Sequence, residues 1–121
     1  MSDAKRILIV EDERPLAHAL ELKLKGEGFT VMVASNGQDA LDMLKTNECD
    51  VMLLDLMMPI MDGFQVLQKI QELEKKPSAI FVLSNLSQRE DEEKVLALGA
   101  KKFFIKSDTA LSTIVDEVKN A

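Results

Sequence analysis

The stretch 51-VMLLDLMMPIMDG-63 decides how this chain is read. Val51 to Leu54 are four consecutive apolar residues, the pattern of a short strand buried on both faces. Asp55 follows at once, then a loop carrying Met58, Pro59, Asp62 and Gly63. In an open parallel α/β sheet, ligands bind beyond the carboxyl ends of the strands. An acid one residue past a buried strand therefore sits where chemistry can happen, on a rigid support. Asp is also common at helix N-caps and turns, so this stretch alone leaves both a structural and a chemical reading open.

Upstream, Ile7 to Val10 is a second apolar tetrad, followed by Glu11, Asp12 and Glu13. Pro15 suits the first turn of a helix, whose Leu16, Leu20 and Leu24 share one face and which Gly26 and Gly28 stop. Phe29 to Ala34 reads as a more mixed strand, and Asn36-Gly37 turns the chain into a helix bearing Ala40, Leu41 and Leu44. Downstream of the deciding stretch, Val66, Leu67, Ile70 and Leu73 mark a helix that Pro77 is expected to break. Ala79 to Leu83 forms a strand ending at Ser84. A capping box of Ser87 with Glu90 then opens a helix that turns Val95, Leu96 and Leu98 inward. Phe103 to Ile105 is the last strand, ending at Lys106, and Leu111, Ile114, Val115 and Val118 give the closing helix.

Five strands thus alternate with five helices. Near-continuous apolar runs in the first, third and fourth strands indicate a parallel sheet covered on both faces, and right-handed crossovers make it doubly wound. The fold class expected is an α/β three-layer sandwich with strand order 2-1-3-4-5, residues 1–121 forming one domain.

Composition sets the outer limits. The chain has 121 residues, 46% of them hydrophobic and 30% charged, which suits a globular domain with a sizeable core. No apolar run approaches the roughly 20 residues needed to span a bilayer, and the polar start Met1 to Arg6 leads straight into a strand, so neither a membrane span nor a signal peptide is expected. The net charge of −6 argues against direct nucleic-acid binding, which depends on Lys and Arg neutralising phosphates. One cysteine, Cys49, excludes an internal disulfide and fits a reducing cytoplasm, with a filler role beside the third strand. His18 lies mid-helix, in a packing or surface role. The short acidic run Glu90 to Glu93 reads as a solvated first helical turn.

The polar residues select the strand order. Glu11 and Asp12 follow strand one, Asp55 strand three, Ser84 strand four and Lys106 strand five. In the order 2-1-3-4-5 these four strands are neighbours, and all five residues share one edge. Carboxylates about 4 Å apart repel by ~4 kcal/mol at an effective dielectric near 20, which a divalent cation would relieve. Mg²⁺ prefers oxygen ligands and is usually held by one or two carboxylates plus phosphate oxygens. With Lys106 as a cation, Ser84 as a donor and a carboxylate able to form an aspartyl phosphate, the parts needed for phosphoryl transfer are present.

With these residues in place, the sequence resembles a bacterial two-component response-regulator receiver domain, the CheY-like fold, over essentially its full length. The resemblance rests on Glu11-Asp12, Asp55 with Met58-Pro59 and Asp62-Gly63, Ser84 and Lys106. It implies that Asp55 accepts a phosphoryl group from a sensor histidine kinase or phosphotransfer protein, with Mg²⁺ held by Glu11, Asp12, Asp55 and the backbone carbonyl of Met57. Ser84 would move toward the phosphoryl group, Lys106 would pair with it, and Phe103 would be the switch aromatic. The surface made by the fourth helix, fifth strand and fifth helix would pass the signal to a downstream protein. Lys94, Lys101 and Lys102 with Glu90 to Glu93 could support a homodimer there.

Two departures from the family pattern carry weight. Ser107 stands where a Pro usually follows the lysine, and a cis bond before a non-proline residue costs ~2.5–4 kcal/mol, so a trans bond is expected. Met57 and Leu86 are apolar where some relatives carry water-orienting groups, which points to slow self-dephosphorylation. Alternative readings are a phosphorylation-independent interaction module, which usually lacks the acidic pair, the Asp or the Lys, and a small aspartate-nucleophile phosphohydrolase. The latter would need a second acid where Met57 stands. A dinucleotide-binding fold is set aside because Glu-Asp-Glu, not a Gly-rich loop, follows strand one.

Overall fold

The computed structural model describes residues 4–86 and 88–121. Its elements alternate: β1 (Arg6–Val10), α1 (Arg14–Gly26), β2 (Thr30–Ala34), α2 (Gly37–Thr46), β3 (Val51–Asp55), α3 (Gly63–Ile70), β4 (Ala79–Ser84), α4 (Arg89–Ala97), β5 (Lys102–Ile105) and α5 (Leu111–Lys119). The strands form one parallel sheet in the order β2-β1-β3-β4-β5, as the polar residues required. Both Asp55 and Ser84 are the last residues of their strands rather than the first beyond them. Asp55 pairs in register with Leu83, so the ladder itself holds its backbone.

The apolar tetrads are buried because alternate residues feed two cores. Leu8, Val10, Met52, Leu54, Ile80 and Val82 face Ala40, Leu41 and Leu44 of α2, Val66, Leu67 and Ile70 of α3, and Val95 of α4. Ile7, Ile9, Val51, Leu53, Phe81 and Leu83 face Ala17, Leu20 and Leu24 of α1 and Ile114, Val115 and Val118 of α5. Each face needs its own apolar set, so a two-faced strand reads as unbroken hydrophobicity. β2 and β5 lie at the sheet edges and are only half-buried, which is why β2 reads as mixed.

Two expectations need correction, and a third falls outside the described residues. α3 ends at Ile70, well before Pro77; the chain leaves the helix through turns, and Leu73 packs on the core from outside it. On α4 only Val95 is buried, while Leu96 is 42% exposed, because the next residue lies about 100° further round the helix. The α4 N-cap is Gln88, without a side-chain cap bond; the proposed capping box falls on Ser87, which lies outside the described residues. His18 is exposed on α1, beside Glu21. Cys49 donates to the Val51 carbonyl at 3.3 Å, and burial pushes its thiol up to about 12, a neutral filler as expected.

Candidate functional site

The carboxyl edge of the sheet is built by short, constrained connections. After β1, the buried Glu11 extends the strand by donating its amide to Ala34 O at 3.0 Å. Its Oε2 then accepts the Glu13 amide at 3.0 Å, curling the loop over the edge. After β3, Asp62 caps α3 reciprocally: its Oδ1 accepts from the Gln65 amide at 2.9 Å, and Gln65 Oε1 accepts from the Asp62 amide at 3.1 Å. Gly63 closes the turn by donating to Leu56 O at 3.0 Å. A Cβ there would lie 2.5 Å from the Asp55 carbonyl oxygen and 2.8 Å from Leu56 Cα, so only glycine fits directly behind the acid.

These connections bring Glu11, Asp12 and Asp55 together, with ligand-capable oxygens of all three within 4.8 Å of one another. Lys106 crosses from β5 into the cluster. Its ammonium lies 2.7 Å from Glu11 Oε1, 2.8 Å from Glu13 Oε2 and 3.2 Å from Asp55 Oδ2. The Asp55 and Glu11 side chains are almost wholly buried, and Lys106 is 11% exposed. Asp55 Oδ1 accepts the Met57 amide at 3.3 Å. An open cleft of about 180 Å³, lined by Asp12, Glu13, Asp55, Met57, Asn85 and Lys106, leads from this cluster to solvent. At roughly 30 Å³ per liquid water, it has room for a hydrated cation or a phosphoryl group.

Burial pushes the Glu11 carboxyl up to about 7, and the Asp55 charge adds to this against the pull of Lys106 and the Glu13 amide. Burial likewise raises Asp55 above its ordinary value, opposed by Lys106 and the Met57 amide. Burial alone would lower the Lys106 pKa, but contacts with Glu11, Glu13 and Asp55 outweigh it, and the pKa is raised. The lysine stays charged while its carboxylate neighbours are crowded. Glu11 Oε1 is buried, and its contact with Lys106 is off the line of a hydrogen bond, so no aligned donor satisfies it. A buried oxygen without a donor beside two further carboxylates is the donor set a hard divalent cation takes. Glu11, Asp12 and Asp55 fit Mg²⁺ on those grounds.

Not all the expected site residues meet in the cleft. Ser84 is fully buried beside Asp55's strand, and its Oγ accepts the Leu86 amide at 3.1 Å, facing the loop toward α4. Phe103 is half-buried against the core under α2, α3 and α4, away from the cleft lining. Among the described residues no peptide bond is cis, so Lys106–Ser107 is trans as expected. In place of the proline, the chain makes a 3-10 turn over Lys106–Asp108, closed by Thr109 Oγ1 donating to Ile105 O at 2.8 Å. Sequence reasoning missed Asn85 in the lining and the contact of Glu13 with Lys106.

Comparison with known proteins decides the family. The model of the response regulator receiver domain matches residues 7–119. The chain belongs to that family. Receiver domains serve two-component signalling, and phosphorylation and Mg²⁺ binding are typical of them. Three solved receivers show the likeness. The receiver domain of Francisella response regulator 1452 is 25% identical with a TM-score of 0.88, covering 96% of this chain and 94% of its own. That of the response regulator NarL from Mycobacterium tuberculosis is 27% identical at 0.86, covering 98% and 96%. The signal receiver domain of a signal transduction histidine kinase from Syntrophus aciditrophicus is 28% identical at 0.83, covering 97% and 89%. Among the described residues, no helix of this receiver is long and apolar enough to cross a membrane.

Proposed function

We propose that residues 1–121 form one receiver domain whose Asp55 accepts a phosphoryl group from a sensor histidine kinase or phosphotransfer protein. The observation that carries this reading is the Lys106 ammonium, 3.2 Å from Asp55 Oδ2 at the floor of an open cleft. Asp55 is the nucleophile: its carboxylate oxygen bonds to phosphorus as the bond from phosphorus to the donor breaks, and the donor leaves with the electron pair. Glu11, Asp12 and Asp55, joined by the Met57 carbonyl, would hold Mg²⁺. The bound cation would supply charge neutralisation at the phosphoryl oxygens. Lys106 pairs with the phosphoryl group, and the Ser84 hydroxyl, released from the Leu86 amide, donates to it. Its movement frees space that Phe103 takes up, and the face of α4, β5 and α5 carries the change to a downstream protein or a second copy of the chain.

Met57 offers only an exposed thioether and Leu86 an alkyl group, so neither side chain orients a water. This supports a long-lived phosphoryl group, and it disfavours a phosphohydrolase, which would need an acid at Met57. The test is intact-protein mass after incubation with acetyl phosphate, with and without Mg²⁺, on wild type and Asp55→Asn. One Mg²⁺-dependent adduct, absent from the variant, is expected. A folded wild type that binds Mg²⁺ but takes no adduct would instead mark a phosphorylation-independent interaction module.

A further inference from the structure

We propose that Glu13 is a positioning residue that holds Lys106 in the unphosphorylated protein and so slows phosphoryl uptake; this rests on the reading of Asp55 as acceptor. Glu13 is the N-cap residue of α1, and its side chain makes no cap bond to its own helix, so its carboxylate is free for another partner. One of the two usual donors is missing because Pro15 occupies the second helical position. The carboxylate crosses the cleft instead and accepts from Lys106 at 2.8 Å, a contact spanning 93 positions of sequence. The Glu13 amide, bound to Glu11 Oε2, fixes the loop from which the side chain leans out.

Lys106 has three ammonium hydrogens and three carboxylates around it. Only the Glu13 contact is an aligned hydrogen bond, and the Asp55 carboxylate that Lys106 faces is the group that becomes the acyl phosphate. A phosphoryl oxygen that pairs with Lys106 therefore competes with Glu13 for the ammonium. Glu11 and Asp55 are buried and cannot turn out to water, whereas the Glu13 side chain is 56% exposed at the mouth of the cleft. Glu13 is therefore the partner that gives way. A phosphoryl group brings about −1.5 to −2 of charge to that mouth, which Glu13 also repels. Both effects favour the unphosphorylated state.

Wild type, Glu13→Gln and Glu13→Asp are compared with acetyl phosphate, phosphoryl uptake followed by intact mass and Mg²⁺ affinity by calorimetry. In the reaction, an Asp55 carboxylate oxygen bonds to phosphorus, the bond from phosphorus to the acetyl oxygen breaks, and acetate leaves with the electron pair. For Glu13→Gln, uptake at saturating Mg²⁺ is expected to rise about two- to fivefold, the range of a partly exposed ion pair. Mg²⁺ affinity should fall slightly, since one nearby negative charge is lost. A merely structural role would not move the two readouts in opposite directions. The gain should shrink at high salt. Glu13→Asp keeps the charge, and with it the repulsion, but is one methylene too short to reach Lys106, so uptake should rise by less than in Glu13→Gln while Mg²⁺ affinity stays near wild type. If uptake matches wild type, contact with the lysine is not the cause and the proposal fails. Unchanged uptake in Glu13→Gln also overturns it while leaving the receiver reading intact. A wild type that takes no phosphoryl group on Asp55 overturns that reading and this inference with it.

Discussion

After β3 the chain turns through residues 56–62 into α3, whose Val66, Leu67 and Ile70 are fully buried; the next helix after β4 is α4, which buries Val95 alone. At roughly 1.5–3 kcal/mol for each fully buried aliphatic side chain, α3 has about three times the apolar anchorage of α4. The two N-termini differ in the same sense. α3 begins on a reciprocal capping box, and α4 begins on Gln88, whose side chain caps nothing. The C-terminal end of α4 is better held, by Gln71 Nε2 donating to Leu98 O at 2.9 Å and by Ala100 donating to Val95 O at 2.9 Å. Lys94 also rests over the Phe64 ring of α3. The strand bearing Asp55 is followed by a capped, well-anchored helix, and the strand bearing Ser84 by one with less apolar anchorage and, among the described residues, no side-chain cap. A fixed site beside an adjustable neighbour is what a switch requires, because a small change at the site can then be read as movement elsewhere.

The strongest way to break this contrast is to loosen the rigid side. In Gly63→Ala, the new Cβ would press on backbone at Asp55 and Leu56, which cannot rotate away. A loss of about 1–3 kcal/mol follows, the usual cost of overpacking. Thermal unfolding should show a fall of roughly 3–10 °C, together with slower phosphoryl uptake, because the strained atoms belong to Asp55 and its neighbour. An unchanged melting temperature would mean that the turn behind Asp55 relaxes freely. Asp62→Ala removes the cap of the same helix and should cost less, about 1 kcal/mol by denaturant unfolding. If it costs nothing measurable, the capping box does not distinguish α3 from α4.

Much of this was readable from the chain because it is local. Apolar tetrads, acids directly after them and i, i+4 leucines each occupy a few consecutive residues, and the strand order followed from asking which order gathers the acids on one edge. The missed features depend on geometry at a distance or on small rotations. Glu13 reads as one more acid at a helix start, because its partner Lys106 comes near only when β1 and β5 end at the same edge. Leu96 and Val95 are equally apolar, and only the docking angle of α4 tells which is buried. The Ser84 hydroxyl's bond to the Leu86 amide is a rotamer, which sequence does not encode by itself. Ile60 gives no warning either: it adopts φ 71° while 80% exposed, a conformation that β-branched residues avoid.

The smallest expected effect sharpens the contrast from the other side. Gln88→Asn shortens the side chain by one methylene and places an amide oxygen where it can accept from the first turn of α4, as Asn36 does for α2 at 2.9 Å. Asn is preferred to Asp because Glu90, Asp91 and Glu92 already fill that turn with negative charge. The gain should be about 0.5–1 kcal/mol, confined to α4. Amide exchange in the first turn of α4 should therefore slow severalfold, while exchange in α3 and the central strands stays unchanged. If all amides slow together, the first turn of α4 opens only when the whole domain opens, and the adjustable neighbour does not exist as a separate unit. If only the first turn slows, its looseness is local, and the same variant should resist the rearrangement proposed to follow phosphorylation of Asp55.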